Sequence, residues 1–262
     1  MLDCNSLSHV LDDMQDRLPV SVPTGEPQIA ADLGFMRASD AFEPLQLMDT
    51  ISWEERTAKL VGLLFCHPGS ELAKAEILPH LTHFHLVSDK GMDFYCMGYG
   101  ADWPPEHFVD QSIVAKAGPQ TWYFSENAFV DSINQLKRLT TWAFSGETEL
   151  VLLTAFVTPD DIVDFDFQTA IVCNLEQMQR DGAIQSARAF FTGIFSFANQ
   201  TFSSDTTWDL SDLQGRKQFR DFVVDSILGL FPGPVAKAYR KARHFAVRDI
   251  ARREPAESVK KA

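Results

Sequence analysis

Cysteine is scarce in this chain, and it is never paired at close spacing. The 262 residues hold four cysteines, Cys4, Cys66, Cys96 and Cys173, with no CxxC among them. That excludes a dithiol redox motif, and four thiols are too few for a disulfide framework in a chain of this length. A reducing cytoplasm is therefore the expected compartment. GxGxxG after a strand, GxxxxGKS/T, HExxH and GxSxG are also missing, which disfavours dinucleotide enzymes, P-loop NTPases, zincins and α/β-hydrolases. With no nucleotide-cofactor motif, the sequence leaves any cofactor unknown.

Other absences narrow the class further. The first residues show neither a basic nor an apolar targeting region, so a secretory signal is not expected. The most apolar helical stretch, Ala183 to Ala198, is too short to cross a bilayer comfortably and contains Arg188, so no transmembrane segment is expected. Tyrosine (4) and tryptophan (5) are few beside 21 phenylalanines, which points to dry core packing rather than a polar aromatic surface. No internal repeat and no low-complexity tract appears.

Positive charge is short everywhere except at the end. The net charge is -13, and no lysine precedes Lys59. From Pro234 to Ala262 nine Lys/Arg face three Asp/Glu, a net of +6, so the preceding residues carry a net of -19. Such a body repels nucleic acid, and the C-terminal segment alone offers an anion-binding surface.

What is present reads as α/β. Residues 1–57 form an acidic lead-in, irregular apart from an amphipathic helix from Ser6 to Leu18 and a short helix near Ser52 to Arg56. Residues 58–173 form the α/β core, and residues 174–262 an α-helical C-terminal region. Lys59 to Cys66 is a buried-type strand. Ser70 then caps a helix that Pro79 ends. Leu81–Ser88 and Met92–Tyr99, around Asp89-Lys90-Gly91, have the pattern of a hairpin. A turn or two of helix is expected within Phe108 to Ala117, and a helix after Ser125 running to Gly146. Buried strands follow at Glu149–Val157 and Phe167–Cys173. Capping patterns at Asn174/Gln177 and Ser211/Gln214 open helices to about Ala198 and Leu230, and a last helix spans about Val235 to Arg252. The expected fold class is α/β, with a mixed β-sheet core, flanking helices and a helical C-terminal region. Strand, helix and hairpin in this order have a general likeness to thioredoxin-like or doubly wound folds, an analogy of architecture.

Four constellations hold the chemistry-bearing side chains. Cys66 and His67 follow a strand and precede a helix N-terminus, the edge where α/β sheets bind ligands, so a thiolate nucleophile with a histidine base is conceivable there. Against that, adjacent residues on an extended chain point to opposite sides, and free cysteine is among the most buried residue types. His83 and His85 share a face if extended, a spacing that suits one metal ion. Asp164 and Asp166 likewise share a strand face and suit a hard cation such as Mg²⁺. The final helix gathers Lys237, Arg240, Lys241, Arg248 and Arg252 opposite an apolar face, which fits docking on the acidic body or on an acidic partner. The expected function is a soluble intracellular binding or regulatory protein that works through protein contacts. The alternative is a small-molecule hydrolase or transferase using Cys66 and His67, metal-assisted through the Asp pair.

Overall fold

Buried backbone N–H and C=O groups need partners, and the apolar run Ala58–Phe65 finds them on both sides. The computed structural model describes residues 7–16, 18, 20–24, 52–56, 58–87, 92–104, 106–117, 120–157, 163–203, 213–241 and 247–250. They begin with α1 (Leu7–Gln15), β1 (Val20–Thr24), β2 (Ser52–Arg56) and β3 (Ala58–Phe65). A π turn (Ala73–Ile77) and a 3₁₀ turn (Leu78–His80) lead into α2 (Leu81–Val87) and β4 (Met92–Cys96). Next come β5 (Tyr99–Ala101), β6 (Ser112–Ala117), β7 (Gln120–Phe124), α3 (Glu126–Leu139) and β8 (Glu149–Val157). The last third holds β9 (Val163–Asn174), α4 (Leu175–Arg180), α5 (Ala187–Ser203), α6 (Leu213–Gly229), α7 (Gly233–Lys241) and β10 (Val247–Asp249).

The main sheet has the order β10-β9-β8-β3-β4, and only β3 and β4 run parallel. The fold is thus α/β with a mixed sheet flanked by helices and a helical C-terminal region. One parallel pairing in four is not a doubly wound sheet. The paired residues Gly62, Phe94 and Leu152 lie on one face, where Phe84 of α2 and Phe191 and Phe195 of α5 pack edge-to-face on Phe94, Phe84 stands edge-on to Phe191, and Phe191 stacks on Phe195. On the other face Phe65 meets Phe129 of α3 and Trp142, and the Tyr95 hydroxyl donates to Asp13 Oδ2 of α1 at 2.6 Å. Leu7, Val10 and Met14, at helical spacing, dock α1 there. A second sheet, β5-β7-β6, is antiparallel, and β1 pairs with β2.

Several expected elements are different. The segment expected as the first hairpin strand is helical from Leu81 to Val87, because Leu81 and Phe84, three positions apart, supply the buried contacts. Pro79 does not end the helical region. It sits at the start of the 3₁₀ turn, where its missing N–H is tolerated. The expected connection at Asp89-Lys90-Gly91 lies outside the described residues. β4 stops at Cys96, since Gly98 takes φ +80° and a side chain there would run into Phe129, so the chain swings into β5 of the second sheet. Ser112–Ala117 is a strand rather than helix, paired with β7 across a bulge between Ile113 and Ala115. Ser52–Arg56, read as a short helix, is β2.

The helix after Ser125 ends at Leu139. The helix expected from Asn174 to Ala198 is broken after Arg180, where Gly182 adopts φ +67°. The last helix stops at Lys241, and Val247–Asp249 instead pairs with Ile171–Cys173. Pairing satisfies backbone groups that would leave β9 an open edge.

Candidate functional site

β3 delivers Cys66 and His67 to the carboxyl edge of the sheet, and their side chains part there. Cys66 is fully buried. Its sulfur lies 3.6 Å from Thr148 Oγ1, and that hydroxyl's single proton goes to Glu176 Oε1 at 3.0 Å, so the thiol is the donor. Thr148 N–H donates to the same carboxylate at 3.1 Å. Ser70, 3.5 Å from Thr148 Oγ1, accepts from Ala73 N–H at 3.0 Å and so caps the following turn. The Tyr99 hydroxyl donates to the Cys66 carbonyl at 2.7 Å. Burial pushes the Cys66 thiol up to about 12, against the opposing pull of the Thr148 and Ser70 hydrogen bonds. At neutral pH the group is a thiol and not a thiolate. Burial likewise raises the Tyr99 phenol well above its ordinary range.

His67 points outward, with its side chain 45% exposed. Gly69 N–H donates to its Nδ1 at 3.0 Å, so that nitrogen carries no proton. The proton of the neutral ring therefore sits on Nε2, which donates to Glu126 Oε2 at 3.0 Å. Phe124 and Phe129 stand edge-on to the imidazole. Both ring nitrogens are thus engaged, one closing the turn and one bridging to the first residue of α3. The sequence placed Cys66 and His67 side by side, but the turn brings Thr148 and Glu176 to one and Glu126 to the other. Those three partners are 82, 110 and 59 positions away from the residues they complete, beyond the reach of any local pattern, although the helix start that holds Glu126 was visible in the Ser125 cap.

The expected metal ligands are not gathered as the sequence suggested. His83 and His85 are on a helix, two positions apart and so roughly 200° round its axis, not on one strand face. His83 leans on Phe84 with ring centroids 6.0 Å apart. Asp164 is exposed and accepts from Phe165 N–H at 2.7 Å. Asp166 is buried and accepts from Gln168 N–H at 2.9 Å and from the Thr169 hydroxyl at 2.8 Å. It ties down an irregularity where β9 slips register against Leu152 and Thr154. Among the described residues no group of three or more His, Cys, Asp or Glu could hold a metal ion. A cavity beside this bulge, lined by Leu60, Leu152, Thr169, Ile171 and Val223, has room for no more than about one water molecule.

The basic residues do not form one helical stripe. Lys237 is exposed on α7, Arg240 and Lys241 belong to its last turn, Arg248 lies in β10 and Arg252 outside the described residues. α7 docks on the body through Ala236 and Tyr239, whose hydroxyl donates to Asp181 Oδ2 at 2.6 Å. Burial and that hydrogen bond push the Tyr239 phenol upward.

A second surface has no counterpart in the sequence reading. The loop between β5 and β6 carries Val109, fully exposed, and β6 carries Ile113, 56% exposed. The loop is pinned at several points. Asp110 accepts from the Ser125 hydroxyl and from Asn127 N–H, both at 2.8 Å. Burial opposes ionisation of Asp110, but these hydrogen bonds outweigh it and hold the carboxyl below its ordinary range. Gln111 donates to the Pro104 carbonyl at 2.9 Å and accepts from Phe108 N–H at 3.1 Å. Asp102, at φ 52°, accepts from Thr121 N–H at 2.8 Å.

Compared with known protein families, with curated proteins and with solved structures, the chain matches none. Among the described residues no helix is long and apolar enough to cross a membrane.

Proposed function

We propose that this protein is an intracellular binding or regulatory module that works through contacts with another protein. The observation that carries the reading is the commitment of the strand-to-helix turn. Its thiol is buried and protonated, and its half-exposed imidazole has both nitrogens hydrogen-bonded to groups of this chain. A nucleophile and a base need to face one another and a substrate, and Cys66 and His67 face opposite ways. The competing reading, a hydrolase or transferase built on this pair with a metal on Asp164 and Asp166, finds no support in their positions. Three buried cysteines, Cys66, Cys96 and Cys173, favour a reducing compartment.

Exposed apolar side chains on and beside a loop held by five side-chain hydrogen bonds favour a contact surface. Affinity capture from the native host, with the full chain as bait under reducing conditions, tests the reading. A specific partner is expected, and recovery of none counts against it.

A further inference from the structure

We propose that the outer face of the β5-β7-β6 sheet, with the loop before β6, is a docking surface for a cationic polypeptide segment carrying an apolar anchor residue. This rests on the binding-module reading and gives it a place and a partner chemistry. Val109 and Ile113 are the two most exposed large apolar side chains among the described residues, and they lie four positions apart on one unit.

The register sets Ile113 opposite Tyr123, and Tyr123 opposite Gly100, so the three share a face. Gly100 leaves room there for the Trp103 indole, which a Cβ at this position would overlap. Trp103 stacks on Tyr123, with centroids 6.4 Å apart and planes 19° apart. An apolar surface therefore runs from the buried Trp103 past the half-buried Tyr123 to the open Ile113, with Val109 beside it in sequence.

Two features select the mode and the partner. The bulge between Ile113 and Ala115 disturbs the outer strand, which discourages addition of another strand and leaves recognition to side chains. Between residues 91 and 115 there is no Lys or Arg, while Asp102, Glu106 and Asp110 all lie in the loop. Glu126, exposed, stands next to Asn127, which Asp110 caps. Lys116, at the far end of β6, is the next cation along the chain. A second copy would bring the same carboxylates and a net charge of -13 against this face, so like charge opposes self-association and favours a basic partner. Because the loop is already fixed by its hydrogen bonds, little ordering entropy opposes docking.

The test is an NMR titration of the full chain with short synthetic peptides that alternate Leu with Lys, with Glu or with Ser. The Leu/Lys peptide should perturb the amides of Val109, Ile113 and Tyr123, and the Leu/Glu peptide should not. A Val109→Ser/Ile113→Ser variant should bind the Leu/Lys peptide about tenfold more weakly or worse, the loss expected when apolar burial is removed. Perturbation centred on another acidic surface, equal binding of the Leu/Glu peptide, or binding unchanged in the variant overturns the proposal. So do concentration-dependent shifts at these residues without peptide, which would mark a second copy as the occupant. Parallel capture from the native host separates this inference from the function proposed above. If wild type and variant retain the same partner, this surface is wrong and the binding reading stands. If neither retains one, the binding reading fails and the titration alone decides the surface.

Discussion

The turn after β3 and the loop before β6 use their side chains in opposite ways. The turn is rich in chemistry, with a thiol, an imidazole and three carboxylate or hydroxyl partners, yet these groups bond to one another and to the backbone. The loop has little chemistry of its own, and its polar groups serve to hold an apolar residue out in water. Density of reactive residue types in a sequence is therefore a poor guide to where a protein meets its partners. Free valence is the better guide: a group already satisfied inside the fold must be released before it can act, at a cost of about 1–3 kcal/mol for each buried hydrogen bond left unmade.

The comparison breaks most sharply if the core around the turn is loosened. Phe94→Ala should remove about 3–5 kcal/mol, because the ring is fully buried against Phe84, Phe191 and Phe195 and its removal leaves a cavity. Urea unfolding followed by fluorescence measures this, and a loss below about 1 kcal/mol would mean that the phenylalanine cluster is not the packing centre. Thr148→Val comes next, at about 1–3 kcal/mol, since the methyl keeps the shape but leaves the Cys66 thiol and Glu176 without the hydroxyl between them. In the native wild type a thiol reagent at neutral pH should modify Cys66 no faster than Cys173, whose thiol burial also pushes up to about 12. Selective labelling of Cys66 would return it to the list of nucleophiles.

How much of this was readable beforehand follows from the range of each interaction. Ser125 and Asn174 announce their helices because capping is local, and both side chains accept the N–H three residues on. The buried strands at 58–65 and 149–157 are visible because an unbroken apolar run of that length needs cover on both faces. Leu81–Val87 misleads because two histidines in seven residues blur its helical spacing into an alternation, and only the docking of Phe84 under α5 decides it. The fate of Val247–Asp249 depends on an edge of β9 that no residue near it reveals. At the site, His67 could be placed at the sheet's edge from sequence alone. Its tautomer could not, because that depends on Gly69 and Glu126 together.

Asp110 joins the two regions, being a loop residue that caps the helix on which Glu126 holds His67. Asp110→Ala should cost about 1 kcal/mol, the ordinary loss for an N-terminal capping contact, with the Ser125 cap still in place. Its carboxyl titrates lower in the folded chain than the unfolded value of about 3.9. The stabilisation it gives is therefore complete above that unfolded value and is lost as pH falls through the folded one. Glu147, lowered chiefly by its hydrogen bonds with Arg180, behaves in the same sense. Unfolding midpoints for wild type and Asp110→Ala should converge as the pH drops below the carboxylate range, and a difference that persists in acid would assign the effect to packing.

The smallest effect on the fold is expected where the largest effect on binding is proposed. Val109 buries nothing, and Ile113 remains more than half in solvent, so Val109→Ser/Ile113→Ser should leave the unfolding free energy within about 0.5 kcal/mol of wild type. The serines add no buried polar group, and the pinning bonds of Asp110, Gln111 and Asp102 do not involve either side chain. A variant whose urea midpoint and slope both match wild type would show that these two apolar groups are held in water for something other than stability. A clear loss of stability would instead make them part of the core, and the contrast between a committed turn and an open loop would no longer hold.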